Sequence, residues 1–240
     1  MLSAIILNWK RPENIPKILF ALRQCELVDE IIIWNNNPEV KLALGEEVCV
    51  INSSRDLGLF TRFSAALLAK NDGILFQDDD VVLDGNKIRQ LYKHWQSEPE
   101  VCHAAFGRRC AVGPYNKINA WGDVDVVLTK AVVVHKKICL QAAVNTQYVD
   151  DIPGKPVGNG EDILLSYTAM SMSGKYNRAH NLFLVEEKQD SKIAISQREP
   201  THMAHRDRIL KRCQKLFAGP RKPYSDALNL DQRPFNQPNP

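Results

Sequence analysis

The chain predicts an α/β domain on a mainly parallel, Rossmann-like sheet flanked by helices. Two observations carry that expectation. Short apolar runs alternate with longer amphipathic stretches, the rhythm of parallel strands joined by crossover helices. Polar clusters then close three of the runs, at Asn8–Arg11, Trp34–Asn37 and Asp78–Asp80. Sheets of this kind bind ligands beyond the carboxyl ends of their strands, so the clusters mark one candidate site.

Taken in order, Ser3–Leu7 reads as the first strand. Glu13–Gln24 follows as a helix with Ile15, Ile18, Leu19 and Leu22 on one stripe. Glu30–Trp34 is an apolar strand ended by the turn-forming Asn35-Asn36-Asn37-Pro38. Val48–Ile51 is a third strand, and Phe60–Lys70 a helix with Phe63, Ala66, Leu67 and Leu68 facing inward. Gly73–Gln77 is the fourth strand, followed by a helix at Asn86–Gln96. Further strands are expected at Val101–Phe106, Val124–Leu128 and Leu182–Val185. A mobile Gly/Pro loop is expected at Asp150–Gly160. Glu161-Asp162 opens a helix, Ile163–Ser173, which Gly174 stops. Arg206–Leu216 is a basic helix. From Gly219 on, Pro, Asn, Gln and charge dominate, which predicts an extended tail over 219–240. Residues 1–218 form one domain in this reading, with halves meeting near residue 83.

With 44% hydrophobic and 25% charged residues, the 240-residue chain can bury a full core. A net charge of +3 is too small to argue for nucleic acid. No apolar stretch reaches the ~18 residues that suggest a transmembrane span. The polar Asn8-Trp9-Lys10-Arg11 after the first apolar run reads as a strand end and not as a signal peptide. Six scattered cysteines without a CxxC pair suit reduced thiols and a cytoplasmic setting.

The acidic triplet is the most informative motif. A strand that delivers Asp78 and Asp80 two residues apart presents both on one side of its end. Hard carboxylate ligands suit Mg²⁺ or Mn²⁺, which complete their shells with water and substrate phosphates. Apolar runs on both flanks argue against a solvated turn. No GxGxxG or GxxxxGK[ST] motif is present, which turns the reading away from dinucleotide-binding and P-loop enzymes. Lys10 and Arg11 could contact a diphosphate, Arg11 as a bidentate fork. Arg62 enters a helix leading to the acidic strand. Glu161 and Asp162, after a Gly/Pro loop, could supply a base or an ion-stabilising carboxylate. His202 and His205 could bind metal or diphosphate. Arg206, Arg208, Lys211 and Arg212 could stabilise departing diphosphate charge.

Together these residues resemble the GT-A nucleotide-sugar glycosyltransferases, most closely the exostosin-like (glycosyltransferase family 64) domain. The likeness covers most of residues 3–216. It rests on Trp34-Asn35-Asn36 at a strand end, Arg62 sixteen positions before Asp78, Glu161-Asp162-Ile163, and His205-Arg206 with Arg212. The resemblance implies a GT-A fold with a nucleotide-sugar half and a smaller acceptor half. It implies Asp80 as the main metal ligand, with Asp78 and Asp79 near ribose and metal-bound water. Arg11, Asn36 and Arg62 would hold the nucleotide, Asp162 would approach the anomeric carbon, and Arg212 or Arg208 would support the diphosphate. Relatives of this kind carry a membrane anchor and a Cys before the acidic pair, where this chain has Gly160.

The expected activity is transfer of a sugar, a hexose or N-acetylhexosamine, from a UDP-sugar to a glycan or glycoconjugate hydroxyl with Mn²⁺ or Mg²⁺. Retention is expected, although inverting families also use a Glu-Asp motif. Two alternatives stay open. Asp78-x-Asp80 also fits the first motif of haloacid-dehalogenase-type phosphatases, and a GT-A scaffold can persist as an inactive glycan-binding module.

Overall fold

The computed structural model describes residues 1–110, 113–149, 159–182, 184, 201–217 and 224. The strands are β1 (Leu2–Asn8), β2 (Val28–Asn35), β3 (Val48–Asn52), β4 (Gly73–Asp78), β5 (His103–Ala104), β6 (Gly107–Arg108), β7 (Gly122–Val124), β8 (Val126–Val127), β9 (Ala131–His135) and β10 (Asn177–Ala179). The helices are α1 (Ile15–Arg23), α2 (Thr61–Leu68), α3 (Gly85–Ser97), α4 (Lys136–Asn145), α5 (Glu161–Ser173) and α6 (His202–Leu216).

Eight strands form one sheet in the order β3-β2-β1-β4-β9-β5-β10-β7, and β6 pairs with β8 beside it. The first four strands are parallel. Their register is level at the carboxyl ends, where Asn8 lies opposite Asn35 and Asn35 opposite Asn52. Leu7 pairs with Asp78, so the acidic turn emerges at the same edge. Strand β9 then runs antiparallel to β4 and β5.

Both faces of the central strands are buried, which explains their nearly unbroken apolar runs. Leu2, Ala4, Ile6, Ile33, Leu75 and Val133 pack against Ile15, Ile18 and Leu22 of α1 and Ile88, Leu91 and Trp95 of α3. On the other face Ile5, Ile32, Ile74, Phe76 and Val132 meet Phe63 of α2, Ile138 and Cys139 of α4, and α5. Residues 161–170 of α5 are buried on every side, as a helix apolar all round must be. Its first residues are the acidic pair, so the core itself holds that pair in place.

Several expectations change. Leu67 and Leu68 are exposed, because the inward stripe of α2 runs through Arg62, Phe63, Ala65 and Ala66, and the backbone turns extended at Ala69. The expected strand Val101–Phe106 is cut to β5. The chain then leaves the large sheet as β6, which pairs with β8. Val124–Leu128 splits at buried Asp125, whose carboxylate accepts from the Cys110 N–H and the Tyr224 hydroxyl. Strands β9 and β10 and helix α4 were not expected. Leu182 and Leu184 carry no strand, and residues 183 and 185 lie outside the described residues. So do 150–158 of the expected loop and the tail over 219–240, Tyr224 excepted.

Gly160 caps α5 with a positive φ of 93°. A β-carbon there would stand 2.5 Å from Cδ1 of Ile209 on α6. Left-handed backbone is strained for any other residue. Gly160→Ala is therefore expected to lower stability by roughly 1–3 kcal/mol, read as a fall in the urea midpoint; an unchanged midpoint would contradict this packing.

Candidate active site

The level carboxyl ends of β1, β2, β3 and β4 bring the polar clusters together. An asparagine ladder fixes the edge. Asn8 Nδ2 donates to Asn35 Oδ1 at 2.7 Å, and Asn35 Nδ2 donates to Asn52 Oδ1 at 2.8 Å. Asn36 turns away and donates to the Gly58 carbonyl (2.9 Å) and Thr61 Oγ1 (3.2 Å), tying the loop before α2 to the sheet.

At the end of β4 each member of the acidic triplet has its own surroundings. Asp79 is held on both carboxylate oxygens, by Arg11 Nη1 at 2.7 Å and by the Trp9 N–H at 3.0 Å. Arg11 also stands 3.4 Å from Asp80 Oδ2. Burial raises the Asp79 carboxyl despite Arg11. Burial first, and then the charge of Asp78, push Asp80 up to about 6. Asp78 is the most open of the three, its side chain 26% exposed. Lys10 is exposed, its ammonium 5.3 Å from the Trp9 ring centre.

Arg62 joins this triplet to the second acidic motif. It is 2% exposed. Its Nη2 lies 3.1 Å from Asp78 Oδ1 and 3.5 Å from Glu161 Oε1, while Nη1 donates to the Thr129 carbonyl at 3.3 Å. The Thr129 hydroxyl donates to Glu161 Oε1 at 2.9 Å. Burial works against the guanidinium charge, but Asp78 and Glu161 outweigh it and raise its pKa.

Asp162, next along α5, is paired with Arg206 of α6 at 2.5 Å. Arg206 also donates to Asn159 Oδ1 (3.0 Å) and the Tyr115 hydroxyl (2.8 Å), and its guanidinium lies 4.3 Å from the Tyr115 ring centre. The result is a largely buried run of three arginines among acids: Arg11 with Asp79 and Asp80, then Arg62 with Asp78 and Glu161, then Arg206 with Asp162. Burial keeps His202, bonded to Asn159, down at about 4, and the charge of Arg206 adds to the effect.

Of the residues singled out in the sequence, Arg11, Arg62, Asp78, Asp79, Asp80, Glu161 and Asp162 fall within this run. Asn36 serves the neighbouring loop. His205 is buried on α6 beside Arg206. Arg212 lies on a different face of that helix, where its guanidinium donates to the Tyr148 carbonyl at 3.1 Å. Tyr115, Thr129 and Asn159 are the partners that sequence reasoning did not place, and Arg206, singled out for diphosphate charge, is instead paired with Asp162. Arg206 carried a legible signal, because it shares a helical stripe with Ile209, Leu210 and Cys213, all buried.

Among the described residues, no three His, Cys, Asp or Glu side chains form a metal cage. Asp78 and Asp80 nevertheless fit a hard divalent cation. They are two oxygen donors on one turn, the buried one pushed up partly by its neighbour's charge, and such ions take their remaining ligands from water and phosphate.

Parallel strands that gather acids and arginines beyond their carboxyl ends, under helices on both faces, define a GT-A type fold. Residues 2–226 match the glycosyl transferase family 64 domain, and the chain belongs to that family. It is a glycosyltransferase, with a glycosyl donor and an acceptor as substrates; this assignment replaces the phosphatase alternative. No curated protein matches the chain. Among the described residues, no helix is long and apolar enough to cross a membrane.

Glu161 is pushed up to about 7, first by burial and then by the charge of Asp162, against the pull of Arg62. A carboxyl raised in the folded state binds more protons there than in the unfolded chain. Its contribution is complete below the unfolded value of 4.5 and is lost as pH rises through about 7. Thermal melts should therefore show wild type losing stability between pH 5 and pH 8, with Glu161→Gln flattening that slope. Parallel slopes for the two proteins would refute the assignment.

Proposed function

We propose that this glycosyltransferase moves a hexose or N-acetylhexosamine from a UDP-sugar to a hydroxyl of a glycan or glycoconjugate, with retention of configuration. The observation that carries the reading is the continuous buried run from Arg11 to Arg206. It sets a carboxylate pair suited to a phosphate-bound cation beside a second, independently held carboxylate. Asp80 and Asp78 would hold Mn²⁺ or Mg²⁺, while His205, buried on α6, forms no three-residue cluster with them among the described residues. Bound there, the ion would neutralise charge on the leaving diphosphate.

The chain's own residues divide the rest of the work. Exposed Lys10 and the open side of Asp78 meet the nucleotide. Arg11 keeps Asp79 and Asp80 in place, and Asn36 holds the loop that carries α2. Asp162 faces the positive charge that develops at the anomeric carbon. Arg206 pairs with that carboxylate and keeps it aimed, a form of preorganised electrostatic stabilisation. Glu161 and Arg62 fix the distance between the two acidic motifs. Arg212 donates to the Tyr148 carbonyl on another face of α6 and stands apart from this run. The six free thiols, five of them buried, suit a reducing compartment, and on that ground we assign the enzyme to the cytoplasm.

A thermal-shift panel of UDP, GDP, CMP and ADP, each with and without Mn²⁺, tests the donor site. A ligand that binds only the native state raises the melting temperature. UDP is expected to shift it only with Mn²⁺, and no shift with any nucleotide would sink the donor assignment. Asp80→Ala and Asp162→Ala should each reduce transfer by ~10²-fold or more with circular dichroism unchanged. Wild-type turnover by either variant would remove that residue from the mechanism, and sugar binding without turnover in wild type would favour the inactive module.

A further inference from the structure

We propose that Gln77 and Asn14 are positioning residues that clasp the acidic turn and set its affinity for the cation. The inference rests on the metal reading of Asp78 and Asp80. Gln77 is fully buried in β4, in register with Ile6 on one side and Ala131 on the other. Its Nε2 donates to the Val81 carbonyl at 2.7 Å, closing a loop around Asp78, Asp79 and Asp80. The backbone bond across the same turn, from the Val81 N–H to the Asp78 carbonyl, is long at 3.4 Å. The side-chain amide therefore supplies the firmer closure.

Asn14 acts from the other side. It occupies the N-cap position of α1 yet makes no capping bond there. Its Nδ2 donates instead to the Asp79 carbonyl at 2.8 Å. Each amide gives up something local. Gln77 leaves its Oε1 buried without a partner among the described residues, and Asn14 forgoes the cap its side chain is suited to make. Unsatisfied buried polar atoms are costly, and the bond to the buried Val81 carbonyl holds Gln77 here despite that cost. What both amides hold in common is the backbone between Asp78 and Val81. Side-chain partners hold all three carboxylates, Asp79 by Trp9 and Arg11, Asp78 by Arg62 and Asp80 by Arg11, and the clasp sets the backbone from which Asp78 and Asp80 project.

The test compares wild type with Gln77→Met, which keeps volume and removes the donor, and with Asn14→Ala, which removes the other donor without adding charge beside the acidic turn. Both variants should still melt cooperatively, a few degrees below wild type, because each leaves one backbone carbonyl without its donor. Mn²⁺ titrations in the presence of UDP, read by thermal shift, should show affinity weakened at least fivefold in each. In the transfer assay, the apparent KM for Mn²⁺ should rise by a larger factor than kcat falls. Equal Mn²⁺ affinity in wild type and both variants would overturn the positioning role alone. A wild type indifferent to Mn²⁺ would overturn the metal reading, and the positioning role with it. Hydrogen exchange of the Asp79–Val81 amides should be at least tenfold faster in Gln77→Met, and unchanged exchange would overturn the clasp directly, whatever the metal does.

Discussion

A guanidinium buried in the middle of the fold governs how the rest of this structure is arranged. Arg62 lies against the Phe76 ring, 5.7 Å from its centre, with almost no contact with water. A charge taken so far from solvent is tolerated only when opposite charges and hydrogen bonds surround it. Asp78 comes from the end of β4, Glu161 from the start of α5 and the Thr129 carbonyl from the approach to β9. Three segments remote in sequence must therefore meet at one point. Their meeting sets the two acidic motifs at a defined spacing before any substrate arrives.

The amides at the same edge do a different job. Asn8, Asn35 and Asn52 bond across the strand ends. Asn14, Asn36 and Gln77 bond to loop and turn backbone. Neutral amides can satisfy backbone groups without adding charge to a site already dense with it. The edge is thus held by neutral groups, while the charged ones face one another across it. Rigid placement is what electrostatic catalysis needs, because dipoles and charges that are already oriented need not reorganise during reaction.

Much of the first half was legible because its strands are buried on both faces, and a run such as Glu30–Trp34 has few other structural uses. The acidic turn was legible for the same reason, since apolar segments flank it directly. The second half hid its plan. Strands of two or three residues, such as β5, β8 and β10, are too short to show a period. Strand β9 passes straight into α4 with no Gly or Pro between them, His135 serving as the N-cap by accepting from the Lys137 N–H. The punctuation that usually separates two elements is missing there. Contact partners were the least visible of all. Asp162 and Arg206 are 44 positions apart; the sequence marked Arg206 as a basic group for diphosphate, and nothing in it paired the two. Leu67 and Leu68 misled in the opposite sense, because hydrophobicity alone does not say which side of a short helix faces the core.

The antiparallel strand β9 has a consequence for synthesis on the ribosome. It covers the edge of β4, and the carbonyl of Lys130 receives the N–H of Asp78. Until that stretch emerges, the nascent sheet presents an open β4 edge, and Arg62 has neither Thr129 nor Glu161 beside it. Open edges invite pairing with other chains. The N-terminal half is therefore no independent building block that could be lifted out or shuffled between proteins: its last strand and its central guanidinium are completed only by residues from the half that follows.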